Sequence, residues 1–438
     1  MKNFIIILLL LTSTICYSKS IKWRKVFQAD NAHFISIDNP DSNYCMAIAT
    51  NVTYKEIVKS TDGGETWFHV YKDTTDPGKW KKYGRDISYP SQDFCIIGLD
   101  SNAFLKTTDG GLTWNEFEVD IPYSPYGFYD VDMYDENNGI LVSSYYIALT
   151  NDGFNTYELI PNPGGFVAYC AELAAPNSIC IVSRDIDGSP DFNERFFRSD
   201  NGGKTWNEYE HPDYRIPMEL QFVDSLNGYE VGGKRTGSGD QRTNLVYKTT
   251  DGGRTWEKVF DTVIYISFGL QKLDFYDKDN GIVVGQFGSV FWTHDGGKSW
   301  IFDSSGLIWD NIPATMNVCY IRKDRAIVAD YNGRIFISEF VDDVEDEIPN
   351  DDDFVVYPNP ATDKIRIRFK DEFLNSTELQ IFNSYGQEII NKSPQDFGLP
   401  TSGFRLLELD ISSLSSGVYF VIINANGKVS SKPFVVMR

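Results

Sequence analysis

One octapeptide pattern recurs six times between residues 60 and 300, and nothing else in the chain restricts its fold as strongly. It stands at 60–67 (STDGGETW), 107–114 (TTDGGLTW), 150–157 (TNDGFNTY), 199–206 (SDNGGKTW), 249–256 (TTDGGRTW) and 293–300 (THDGGKSW). Between the closing aromatic residues the intervals are 47, 43, 49, 50 and 44 residues. A period of about 40–50 residues with Gly-rich turns and short strands is that of a β-propeller made of four-stranded units.

The same grammar precedes each octapeptide. Phe275 to Gly281 leads into the apolar run Ile282-Val283-Val284, then Gly285 to Gly288, then Val290-Phe291-Trp292-Thr293, which supplies three strands; Trp300 opens the fourth. Residues 322–338 repeat the first three strands without a following octapeptide. The missing strand is expected at the other end, because Ile21 to Phe27 resembles Trp256 to Phe260 and Trp23 precedes Trp67 by 44 residues, one period. The expectation is an all-β chain: a seven-bladed β-propeller over 19–341, closed by the N-terminal strand, which leaves no open sheet edge.

The octapeptide has local chemistry. Asp62, Asp109, Asp152, Asn201, Asp251 and Asp295 head tight turns, where a short polar side chain accepts from following backbone N–H groups and Gly supplies positive φ. The closing Trp is expected to pack against the strands of its own unit. These residues resemble the Asp-box, or BNR, repeat of sialidases, sortilin-type receptors, some xyloglucanases and photosystem II assembly-factor-like propellers. The resemblance implies that the boxes are structural and lie away from any active site. Asn201, and Phe154 with Tyr157, depart from the pattern, which predicts looser turns there. The boxes lack the carboxylate count of a calcium loop, so no metal is expected.

Lys2, the apolar run Phe4 to Leu11 and the polar stretch to Ser18 read as a signal peptide over 1–18. Ile15 stands where lipoprotein signals have a small residue, which argues against lipid on Cys16. No segment approaches the about 20 apolar residues of a membrane span, so the chain is not expected to be an integral membrane protein. The remaining five cysteines have no Cys-x-x-Cys pair. Cys45, Cys95 and Cys180 open equivalent apolar runs and read as small buried strand residues, and the number leaves room for a single bridge. The formal net charge of −22 argues against nucleic acid as a partner.

Residues 342–353 carry eight acids and no base and read as a solvated linker. Residues 354–438 hold nine Lys+Arg and eight Asp+Glu, with alternation at Lys364 to Phe369 and turns at Asn383 to Gly386 and Asn424 to Gly427. This reads as a small antiparallel β-sandwich. Three segments are specific: Tyr357-Pro358-Asn359-Pro360-Ala361; Ile381 to Gln387 around Gly386; and Leu409 to Phe420, which contains Gly417 and Tyr419. Together they resemble the type A C-terminal sorting domain of the type IX (Por) secretion system. The resemblance implies a Gram-negative bacterium, Sec export to the periplasm, recognition of 354–438 by the type IX translocon, and delivery to the cell surface or the medium.

The long insertions fall in the loops joining fourth to first strands and second to third strands, on one face of the predicted ring. They carry the candidate binding residues Trp80, Tyr123, Tyr126, Arg215 and Trp309, a set suited to a polysaccharide or a protein. Tyr214-Arg215-Ile216-Pro217 looks like the Arg-Ile-Pro motif of sialidases, but that motif precedes the first box and here it follows the fourth. The four His are scattered, no catalytic residue stands out, and no cofactor is expected. The sequence therefore favours a secreted or cell-surface non-catalytic propeller. Its alternative is a secreted sialidase- or xyloglucanase-like glycoside hydrolase with a carboxylate pair on the long-loop face.

Overall fold

The second strand of each unit is an apolar run rather than an alternating one, which suits a strand covered on both faces. Cys45–Thr50 shows how this works: Met46 and Ile48 pack toward the following sheet, while Cys45, Ala47 and Ala49 pack toward the sheet formed by the end of the chain. The computed structural model describes residues 19–30, 32–51, 55–73, 84–122, 127–163, 167–184, 194–210, 216–235, 242–264, 269–285, 289–303, 316–342, 354–357, 359, 361–369, 378–384, 386–392, 405–425 and 428–436. Every named element is a strand, and among the described residues no helix is long and apolar enough to cross a membrane.

Seven four-stranded antiparallel sheets fill residues 19–342 among the described residues. Six are consecutive four-strand meanders. The seventh takes Met316–Arg322, Arg325–Asp330 and Arg334–Asp342 from the end of the region and Lys19–Gln28 from its beginning, with Trp23 opposite Ser338. The first strand of each sheet packs beside the first strand of the next, and Met316–Arg322 of the seventh lies against His33–Asp38 of the first.

Each apolar cluster bridges two neighbouring sheets rather than filling one. Ile282, Val284 and Trp292 of the sixth sheet join Val318, Tyr320 and Val328 of the seventh, and Phe34, Ile37 and Val58 of the first join Cys319, Ile327 and Ile337 of the seventh. The closing Trp does not pack against its own strands alone. Trp67, Trp114, Trp206, Trp256 and Trp300 each enter the cluster shared with the preceding sheet. Trp23 does the same between the sixth and seventh sheets, with its ring 6.1 Å from that of Trp292.

The boxes follow one hydrogen-bonding scheme. In the first, the Asp62 carboxylate accepts from the Thr66 N–H (2.9 Å) and hydroxyl (2.6 Å), and the Ser60 hydroxyl donates to Asp62 while accepting from Gly64 N–H. Gly64 has φ +86°, and a Cβ there would come within 2.4 Å of Ile327 in the seventh sheet, so the turn needs glycine both for its backbone and for the seam. The divergent copies are bonded as fully as the others. Asn201 accepts from Thr205 N–H and donates to its hydroxyl. Phe154 adopts φ +59° in the glycine's place, buried 5.2 Å from Phe104, while Asp152 keeps both bonds to Thr156.

The tail forms a three-stranded and a four-stranded sheet around one apolar cluster that includes Ile365, Ile381, Val421 and Phe434. Asn359 fastens the first motif to the last strand by accepting from Val435 N–H at 2.8 Å. Gly386 sits at φ +73°, and buried Tyr419 stacks on Phe434 and donates to the Ser415 carbonyl. Pro358 and Pro360 lie outside the described residues.

Candidate functional site

The sequence-predicted binding residues Trp80, Tyr123, Tyr126, Arg215 and Trp309 all lie outside the described residues, as does the signal segment 1–18. Among the described residues, polar side chains with chemical potential converge where the seven first strands meet.

Six of these strands carry a β-bulge at equivalent places, such as Phe34/Ser36, Gly84/Asp86, Phe128/Asp130 and Leu270/Lys272. A bulge re-aims the residues that follow it, and here two levels of polar side chains follow. In one of these levels, Asp38 accepts from Tyr89 N–H, Ser88 from Met133 N–H, Asp132 from Leu173 N–H, Gln221 from Phe275 N–H and Asp274 from Tyr320 N–H. Glu172 accepts a longer bond from Phe222 N–H. Each bond runs from one sheet to the next in chain order. The other level repeats the scheme, with Asp86 accepting from Ser36 Oγ and Val131 N–H, Asp130 accepting from Ala171 N–H, and Lys272 paired with Glu219. Asn317 of the seventh sheet donates to the Phe34 carbonyl of the first.

Electrostatics set this cluster apart. Burial pushes Asp38, Asp132 and Glu219 up to about 7 and Asp274 up to about 6. Asp130 is also raised well above the ordinary range, by burial and by the neighbouring charge of Asp86. Burial opposes the charge on Lys272, but Glu219, Asp86 and Asp130 outweigh it and raise its pKa. The side chains of Glu219 and Lys272 are still 28% and 27% exposed, so water reaches the cluster and screens part of each effect.

A second set of contacts ties the sheets together farther along the strands. Lys59 donates to the carbonyl of Gly110 in the next box at 2.8 Å, Lys106 to Gly153 at 2.6 Å, Arg198 to Gly252 at 2.9 Å and Lys248 to Gly296 at 3.0 Å. All four stand immediately before the hydroxyl that opens their own box. Leu149 and Trp292 hold that position in the third and sixth sheets.

The chemistry available is thus cohesive. Most of the cluster's carboxylates accept backbone N–H groups from the next sheet. No group of three or more His, Cys, Asp or Glu able to hold a metal ion occurs among the described residues.

The cluster predicts an inverted pH profile. A carboxyl whose pKa is higher in the folded than in the unfolded chain stabilises the fold fully below about 4, and that contribution is lost as pH rises through about 6–7. The boxes act oppositely: the Thr113 hydroxyl and N–H hold Asp109 down at about 2, a contribution present above about 4 and lost as pH falls toward 2. The melting temperature should therefore be higher at pH 5 than at pH 8, by about 5 °C or more, since one pKa unit is about 1.4 kcal/mol. Thermal scans from pH 4 to 9 check this; a profile that rises to pH 8 contradicts it, and Asp132→Asn should flatten part of the fall.

Fold and sequence together define a repeat protein of propeller class with a small appended all-β domain. Residues 355–437 match the secretion system C-terminal sorting domain, and residues 198–335 match the photosynthesis system II assembly factor YCF48 family. Among curated proteins, the photosystem II assembly lipoprotein Ycf48 of Synechococcus sp. (strain CC9902) is 23% identical over 73% of this chain and 88% of its own length. The Ycf48 of Prochlorococcus marinus (strain MIT 9312) is 23% identical over 62% and 89%. Among solved structures, YCF48 bound to D1 peptide superposes with TM-score 0.53 at 15% identity, covering 73% of this chain and 97% of that one. YCF48 from Cyanidioschyzon merolae gives 0.52 at 18%, covering 73% and 98%. The chain is thus similar to Ycf48 in its propeller and carries a Por-type sorting tail that supports export by the type IX system.

Proposed function

We propose that residues 19–341 close into a seven-bladed ring that works outside the cell as a non-catalytic binding protein. A signal peptide over 1–18 takes the chain to the periplasm of a Gram-negative bacterium, the acidic stretch 342–353 links the two domains, and 354–438 is recognised by the type IX translocon. The ligand is a protein or polysaccharide seated on the long-loop face that carries Trp80, Tyr123, Tyr126, Arg215 and Trp309. The observation that supports a non-catalytic reading is the commitment of the central carboxylates to amide groups of neighbouring sheets, which leaves them holding the fold. That a propeller of similar fold was solved with a bound peptide favours a polypeptide ligand.

Purified protein tested on glycan and peptide arrays, alongside turnover assays on the same compounds, should bind without cleaving. Trp80→Ala and Trp309→Ala should weaken binding about tenfold or more, as loss of an interface aromatic does. Hydrolysis abolished by a single carboxylate substitution would instead establish the glycoside hydrolase alternative.

A further inference from the structure

Two of the five described cysteines meet where the first and last parts of the propeller come together. Cys45, on the second strand of the first sheet, places its Sγ 3.4 Å from the Sγ of Cys319, on the first strand of the seventh sheet, 274 residues away in the chain. Both are buried, in the cluster that joins the two sheets through Ile37, Ala47, Ile321 and Ile327. The other cysteines have different surroundings: Cys180 accepts from Arg198 and Cys95 lies against the Ile96 carbonyl. We propose that Cys45 and Cys319 are a disulfide-forming pair that fastens the first sheet to the seventh in the exported protein.

The geometry asks for little. A disulfide needs its sulfurs at about 2.05 Å, so the two Sγ atoms must close by roughly 1.4 Å, shared between two side chains in one apolar cluster. The inference uses the export reading only for its oxidising compartment. The oxidant is a thiol–disulfide compound such as glutathione disulfide or a dithiol oxidase. The thiolate of one cysteine attacks its S–S bond and releases one reduced thiol, and the second cysteine's thiolate then displaces the other half. Two thiol hydrogens and two electrons leave the protein, and the oxidant's disulfide becomes two thiols. Burial and the Cys45 thiol push the Cys319 pKa well up, so little thiolate exists once the seam has closed. The bond therefore forms while the seventh sheet is docking and resists reductant afterwards.

Protein comprising residues 19–438, denatured, reduced and refolded with glutathione disulfide, then denatured again with an alkylating agent, should carry label on Cys95, Cys170 and Cys180. The Cys45 and Cys319 peptides should appear as one linked species that separates only on reduction. The same map is expected for protein recovered from the culture medium. Cys45→Ala and Cys319→Ala should each lower the melting temperature by about 5 °C or more, and the double variant no further. Label on Cys45 and Cys319 without reduction in the refolded protein, or a link from either to another cysteine, overturns the proposal independently of the export route. Refolding under reductant to the same melting temperature overturns the fastening role as well.

Discussion

A chain ending at Asp353 should fold its seven sheets and remain inside the cell envelope. The tail's apolar cluster is drawn from Phe354 to Val436 alone, so its removal takes no residue from the clusters that join the propeller sheets. What is lost is the surface presented by the sorting domain, whose first motif is fastened through Asn359 to Val435 and whose third is set by Tyr419 against Phe434. Fractionation of cells producing full-length and truncated chains, with immunoblots of medium, surface, periplasm and cytoplasm, should find the full-length protein outside and the truncated one in the periplasm. Its melting temperature should stay within about 2 °C of the full propeller's, as expected for separate cores. Truncated protein in the medium in equal amount would show that residues 354–438 do not direct export.

The legible features were the local ones. An Asp-box is written within eight residues, so its turn, its positive-φ glycines and its count follow from the chain directly. Where a box side chain packs depends on a partner about one period away. For that reason the destination of Trp67 or Trp300, in the seam with the preceding sheet, differs from the expectation that each stays with its own strands. Asn201 and Phe154 looked like weak copies because identity was compared. Geometry forgives both substitutions: an amide can accept and donate as the carboxylate–hydroxyl pair does, and Phe154 finds Phe104 to pack on.

The cations at the seams left a signal that was not read. Lys59-Ser60, Lys106-Thr107, Arg198-Ser199 and Lys248-Thr249 place a basic residue directly before the box hydroxyl in four of six copies. On a lone strand such a residue reads as solvated. Only the neighbouring box carbonyl, supplied by the next sheet, gives it a buried partner. The central carboxylates were harder still. Asp38, Asp132 and Asp274 are three of 62 acids, and what distinguishes them is a bulge that no residue type announces, together with an amide from another sheet. Likewise Cys45 and Cys319 stand 274 residues apart in sequence, so an odd count of cysteines hid a close pair.

The junction of the first and last strands carries the other large expectation: deletion of residues 19–28 should lower the melting temperature by about 10 °C or more, or leave the protein insoluble. Lys19–Gln28 pairs along the length of Arg334–Asp342, and without it that strand becomes an unpaired edge, a template for aggregation. The deletion also takes Ile21 and Trp23 out of the cluster between the sixth and seventh sheets, and removes the indole N–H that donates to Asp303. A fully buried Trp side chain contributes about 3–5 kcal/mol; Trp23 is partly buried and contributes less, but together with the lost strand pairing this is a large part of a usual stability of about 5–15 kcal/mol. A Cys45–Cys319 bond does not compensate, because it ties the seventh sheet to the first, whereas Trp23 ties it to the sixth. Trp23→Ala isolates that share: it keeps the backbone pairing and should lose roughly half as much as the deletion. Calorimetry on both variants decides the matter. An unchanged melting temperature after deletion would mean that Lys19–Gln28 is not the closing strand of the seventh sheet, and that the period separating Trp23 from Trp67 has no structural meaning.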